Sequence, residues 1–118
     1  MTVRRGQTVL VDYPHADGSG MSLRPALIVQ ADTFNQKLQN TIVAQITSKI
    51  RHLHSACRLL IDPTMDEGKS SGLHMVSVLT CVNLGTINQS RIHHVLGNLS
   101  DSLMKKVDVC LKAALELT

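Results

Sequence analysis

A chain of 118 residues with 43% hydrophobic content has room for one modest core and none for a second, so a single domain over residues 1–118 is expected. A formal net charge of +3 suits an anionic partner. Aromatic residues make up 2% of the chain, Tyr13 and Phe34 alone with no tryptophan, which excludes the multi-ring stacking face of an RRM or a single-strand-binding OB-fold.

Taken in chain order, Gln7 to Tyr13 (QTVLVDY) alternates Val9 and Val11 with polar neighbours and predicts a strand. It stops at Pro14, before a long mobile loop rich in Asp17, Gly18, Ser19 and Gly20. Ala26 to Gln30 predicts a short apolar second strand and Thr41 to Thr47 a β-branched third, with the polar ADTFNQKLQN between them read as loop. Ala56 to Ile61 predicts a fourth strand ended by Asp62-Pro63, followed by the turn residues DEGKSSG. Met75 to Leu84 predicts a fifth strand and His93 to Leu96 a short sixth. In the tail, Leu103, Val107, Cys110, Leu111 and Ala114 change to three- and four-residue spacing, with Ser100 placed as the cap and Asp101 in the first turn. The fold class expected is mainly β with a C-terminal α-helix covering a small, strongly bent antiparallel sheet or SH3-like small barrel.

No window approaches the roughly eighteen apolar residues of a membrane-spanning helix, and MTVRRGQTVL passes straight into strand-like sequence. A soluble, cytoplasmic protein without membrane association is expected. Cys57, Cys81 and Cys110 form no C-x-x-C pair and sit in apolar or strand-like runs, which reads as buried reduced thiols.

RRGQTVLVDYP, RPALIVQ, QITS, SVLTCVNLGTI and GNLSDSLMKKVDVCLKAALEL, in this order over nearly the whole chain, resemble the MazF/PemK toxins, sequence-specific endoribonucleases of bacterial toxin–antitoxin pairs. The combination of Arg5-Gly6, Arg24-Pro25 and Ile46-Thr47 carries the resemblance. It implies an SH3-like barrel of the MazF/CcdB/PemK type, a homodimer, metal-independent cleavage of single-stranded RNA with no cofactor, and inhibition by a cognate antitoxin protein. The family's catalytic pair maps onto Arg24 and Thr47. Plasmid-encoded members carry an Arg-x-Asp pair ahead of a Gln where this chain has Thr80, Cys81 and Val82 before Asn83, and the Arg-Thr of many members is Gly85-Thr86 here.

Metal-free RNA cleavage drives the 2′-hydroxyl onto its neighbouring phosphorus, which requires a proton acceptor, a proton donor and positive charge beside the phosphorane. A guanidinium matches phosphate oxygens two at a time, and Pro25 biases Arg24 toward extended backbone. Arg24 either serves the phosphate or is a surface arginine paired with Asp12 or Asp17. Thr47 and Ser48 offer hydroxyls that either hold a phosphate oxygen or form an ordinary turn. His15, in the flexible loop, is the side chain best suited to acid or base work; otherwise it is an exposed loop residue. RNA contacts are expected from Gly18, Ser19, Ser22, Leu23, Lys49 and Asn83, although Asn83 is equally readable as a strand amide satisfied by a neighbour. His52 and His54 would share one strand face, but with His74, His93, His94, Cys57 and Cys81 they match no zinc spacing, and no metal is expected. Lys49, Arg51, His52 and His54 read as a basic strip for phosphates or as a solvated loop. Two rival readings remain: a CcdB-like toxin of the same fold that poisons DNA gyrase without catalysis, and a passive RNA-binding barrel.

Overall fold

Val9, Val11 and Tyr13 alternate along strand β1 (Gln7–Pro14) and are all buried on one face, as a period of two requires. The computed structural model describes residues 2–15 and 17–118. After β1 come β2 (Met21–Ile28), a short helix α1 (Asp32–Lys37), β3 (Asn40–Thr47), β4 (Arg58–Ile61), β5 (Ser77–Asn88), β6 (Ile92–Asn98) and the helix α2 (Asp101–Leu115). The six strands form one antiparallel sheet in the order β4-β5-β3-β2-β1-β6. Mainly β structure with a C-terminal helix is as expected. The sheet stays open, however, because the strands at its two ends, β4 and β6, do not pair with each other among the described residues.

Each face of the sheet has its own core. Leu27, Ala44, Ile46, Ile61, Leu79 and Cys81 pack against Leu103, Val107 and Cys110 of α2. Val9, Val11, Tyr13, Ala26, Ile28 and Val43 point the other way, with Val3, Ile87 and Ile92. Fully burying a Val, Leu or Ile side chain is worth about 1.5–3 kcal/mol, and the alternation along β2 and β3 divides that gain between the faces. Helix α2 begins where the sequence places it: the Ser100 hydroxyl accepts from Leu103 N at 3.2 Å, and Asp101 stands in the first turn. Arg5 fastens the helix to the sheet, with Nη2 donating to Asp108 at 2.7 Å and Nε to the Val29 carbonyl at 2.9 Å.

Several boundaries differ from the sequence reading. Strand β2 starts at Met21, inside the expected long loop, since Met21 to Leu27 pair along β1 in a continuous register. Only Ala26 to Ile28 also pair with β3, so the segment before them has one strand neighbour, the setting in which a strand tolerates Pro25. The turn joining β1 to β2 is correspondingly short, closed by His15 N donating to Gly20 O at 2.8 Å. Helix α1 occupies the polar stretch read as loop. It is held by tertiary contacts of Asn35, whose amide donates to Gln30 O at 2.9 Å and whose Oδ1 accepts from the Thr41 hydroxyl at 2.7 Å. Residues 51–57 are turn rather than strand, and His52 has a left-handed φ of 55°. His52 and His54 therefore share no strand face; their rings meet edge to face, centroids 6.3 Å apart. Strand β5 continues past Leu84 to Asn88, and no described helix is long and apolar enough to cross a membrane.

Candidate active-site groove

The second face of the sheet is apolar only as far as Val43. Beyond it the same face continues along β3 to Gln45 and Thr47, and along β2 from Ala26 to Arg24. In β5 the pairing jumps from Leu84 opposite Ala44 to Thr80 opposite Gln45, leaving Cys81, Val82 and Asn83 as a bulge. Such a bulge re-aims side chains. The result is an open groove of about 830 Å³ lined by His15, Arg24, Thr47, Arg58, Thr80 and Asn83, together with Asp17, Gln45, Lys49, Arg51, His52 and Val82.

Its electrostatics are one-sided. Among the described residues that line it, Arg24, Lys49, Arg51 and Arg58 face a single carboxylate, Asp17. Hydrogen bonds from Ser19 hold that carboxyl below the usual range. The pairing of Arg24 with Asp12 or Asp17 does not form: Asp12 meets His93 at 3.2 Å, Asp17 accepts from Ser19 N at 2.9 Å, and Arg24 has no ion pair among the described residues. Its half-buried side chain stands on the one-neighboured part of β2, where the backbone is fixed by β1 and the groove side is open.

His15 is not a free loop residue. Its Nδ1 is 3.0 Å from Ser19 Oγ, and its Nε2 hydrogen-bonds Ser22 Oγ, so the imidazole is held by a hydroxyl at each nitrogen at the rim. Thr47 Oγ1 accepts from Lys49 N at 3.2 Å, which leaves the hydroxyl proton to donate elsewhere. Asn83 is partly committed: its amide donates to Gln45 Oε1, while the Tyr13 hydroxyl reaches its carbonyl at 3.0 Å and its Oδ1 at 3.2 Å. Burial pushes the Tyr13 hydroxyl's pKa up, keeping it a neutral donor.

Of the residues singled out in the sequence, His15, Arg24, Thr47, Lys49 and Asn83 line the groove. Ser48, Gly18, Ser19, Ser22 and Leu23 do not; Ser19 and Ser22 bear on it through His15, and Leu23 alternates away from Arg24 and is exposed. Sequence reasoning missed Gln45, Arg58 and Thr80 as groove residues. They form one row across the sheet, Gln45 opposite Thr80 and Thr80 opposite Arg58, and only the register of three strands reveals it.

Comparison with known proteins gives a consistent result. The model of the PemK-like, MazF-like toxin family of type II toxin–antitoxin systems matches residues 4–115. The endoribonuclease EndoA of Bacillus subtilis is 31% identical over 118 residues, covering 99% of this chain and 97% of that protein. Among solved structures, an endoribonuclease in complex with its cognate antitoxin from a mycobacterial species superposes with a TM-score of 0.78 at 20% identity, covering 98% of this chain and 97% of that one. The Mycobacterium tuberculosis toxin MazF-mt6 gives 0.76 at 24% identity, with 97% and 99% covered.

Proposed function

The chain belongs to the PemK-like, MazF-like toxin family of type II toxin–antitoxin systems, and from that premise we propose that it is an endoribonuclease toxin whose chemistry is carried by Arg24, Thr47 and His15 in the cationic groove. The observation that carries this reading is Arg24 itself: a strand-mounted guanidinium without an ion pair among the described residues, facing a groove in which permanent positive charge exceeds negative.

RNA enters as a single strand along the groove, its phosphates drawn by Lys49, Arg51 and Arg58. The 2′-hydroxyl attacks the adjacent phosphorus and the 5′-oxygen leaves, giving a 2′,3′-cyclic phosphate and a 5′-hydroxyl end. Arg24 lies against the phosphorane oxygens, where negative charge accumulates. Thr47 donates its free hydroxyl proton to one of them. His15 exchanges the protons, and to do so its ring releases Ser22 or Ser19. Arginine's pKa above about 12 makes Arg24 a poor proton shuttle, so its part is electrostatic. Asn83 and Gln45, locked to each other on the groove floor, present a fixed donor–acceptor pattern for a base edge. No metal or cofactor is required by these steps.

One domain spanning the chain, working as a homodimer, fits the open strand edges β4 and β6, since unpaired edges invite pairing. A cognate antitoxin protein is the regulatory partner, an acidic segment of it matching the charge of the groove. The cytoplasm, where mRNA is found, is the compartment this reading requires. The gyrase-poison reading is not favoured, because the family model is that of the PemK-like, MazF-like toxins and the curated relative is an endoribonuclease.

The test is incubation of single-stranded RNA with the pure protein in EDTA. New 5′-hydroxyl ends are expected with the parental chain and not with Arg24→Ala. Intact RNA together with inhibited DNA supercoiling would overturn the reading in favour of a gyrase poison, and retention without cleavage would leave a passive RNA-binding module.

A further inference from the structure

The three cysteines, far apart in sequence, converge directly behind the groove wall. Cys81 N donates to Cys57 O at 2.9 Å, which continues the β4–β5 register one step beyond Arg58 opposite Thr80 and sets Cys57 directly across from Cys81. Cys81 packs in the core beneath α2, so its cross-strand partner Cys57 points to that side as well. Cys110 of α2 completes the cluster, packed in the same core as Cys81 with its Sγ 3.7 Å from the Arg58 carbonyl oxygen. All three are free thiols, Cys57 half-buried and the other two buried.

Directly opposed residues of a hydrogen-bonded antiparallel pair have Cα atoms about 5.5 Å apart, inside the roughly 4.4–6.8 Å window that a disulfide spans. From this we infer that Cys57 and Cys81 form an oxidation site for hydrogen peroxide, closing to a disulfide that reshapes the groove. Cys57, the accessible thiol, reacts first. Its sulfur attacks one peroxide oxygen, the O–O bond breaks, and hydroxide leaves with the Cys57 proton as water. Cys81 sulfur then attacks the sulfenic sulfur, the S–S bond forms, the S–O bond breaks, and hydroxide departs with the Cys81 proton as a second water. Burial, which pushes the Cys81 thiol up to about 12, keeps that residue from reacting first; its place directly across from Cys57 makes it the resolving partner. Among the described residues the thiols do not form part of a group suited to holding a metal ion.

The consequence for the groove is geometric. Opposed Cβ atoms lie about 4.5–5.5 Å apart in a ladder, and a disulfide draws them to about 3.8 Å. Each cysteine is flanked by groove residues: Arg58 follows Cys57, and Thr80 and Val82 enclose Cys81. Closing the bridge therefore displaces the far wall of the groove by on the order of 1 Å, enough to slow a reaction that depends on positioning. This effect on cleavage rests on the ribonuclease reading above; the bridge itself does not.

The experiment treats the full-length protein with hydrogen peroxide and reads intact mass, peptide mapping, melting temperature and RNA cleavage. Expected are the loss of two hydrogens with the bridge mapped to Cys57–Cys81, a melting temperature higher by roughly 10 °C from the loop closed between those positions, and cleavage reduced about tenfold or more and restored by dithiothreitol. Cys110→Ala should still form the bridge, whereas Cys57→Ser and Cys81→Ala should retain cleavage under peroxide. Stepwise addition of oxygen to Cys57 without a bridge, or a bridge mapped to Cys110, overturns the site. A Cys57–Cys81 bridge that leaves cleavage unchanged overturns its coupling to the groove. If the reduced protein cleaves no RNA at all, mass and mapping still decide the site, and it is the ribonuclease reading that fails.

Discussion

On the helix side of the sheet, Ile46 of β3 and Leu79 of β5 meet Leu103 and Val107 of α2, and the apolar cover is continuous. On the other side the same two strands pass from Val43 to Gln45 and Thr47, and bulge at Cys81 to Asn83, and the cover gives way to a groove lined with cations. Two arginines show what the difference means. Arg5 belongs to the covered side and spends its donors on Asp108 and Val29; Arg24 belongs to the open side and has no ionic partner among the described residues. A satisfied guanidinium fastens two elements together. One held on a stiff strand with no ion pair among the described residues is open to an anionic ligand.

The comparison predicts that substitutions on the covered side reduce stability and those on the open side reduce activity. Leu103→Ala, at a fully buried position under the sheet, should lower the unfolding free energy by about 3 kcal/mol in a denaturant titration, while cleavage per folded molecule is unchanged. Arg24→Ala should do the reverse: a melting temperature equal to the parent's, and cleavage slower by about a hundredfold, equivalent to roughly 2.7 kcal/mol of transition-state stabilisation. Arg24→Lys should recover little, since an ammonium lacks the two-pronged geometry. A large loss of stability in Arg24→Ala would merge the two classes and break the comparison.

Smaller effects sharpen it. Thr47→Ala should slow cleavage by about tenfold, the contribution of one neutral donor to a charged oxygen, again without a stability change. Arg5→Ala should reduce stability by about 1 kcal/mol, because its ion pair with Asp108 is 30% and 48% exposed and solvent screens it; full activity is expected once the protein is folded.

The smallest effect is one of pH. The Lys106 ammonium, 3.0 Å from Glu67, holds that carboxyl below its ordinary 4.5. A depressed folded-state pKa means that the contribution is present above the unfolded value and is lost as pH falls through the folded one. Parent and Lys106→Ala should therefore differ slightly in melting temperature at neutral pH and converge in acid. A difference that persists in acid would show that Lys106 acts by packing.

Elements whose signals are local were legible in the sequence. The alternation of β1, the β-branched run of β3 and the capped three-four spacing of α2 each follow from the period of a strand or helix, whereas Arg24 and Thr47 were singled out as a pair only by the family resemblance. What the sequence could not supply was anything depending on pairing between distant segments. Helix α1 forms where Asn35 finds Thr41 and Gln30, not where propensity is high. Met21 to Arg24 are strand because β1 lies beside them, and residues 51–56, which pair with no strand, form loop and turn instead. The row Gln45, Thr80 and Arg58, and the meeting of Cys57 with Cys81, exist only through register. A shift of one residue would send each of those side chains to the opposite face, and register is set by the fit of whole strands against two cores, which no short stretch of sequence contains.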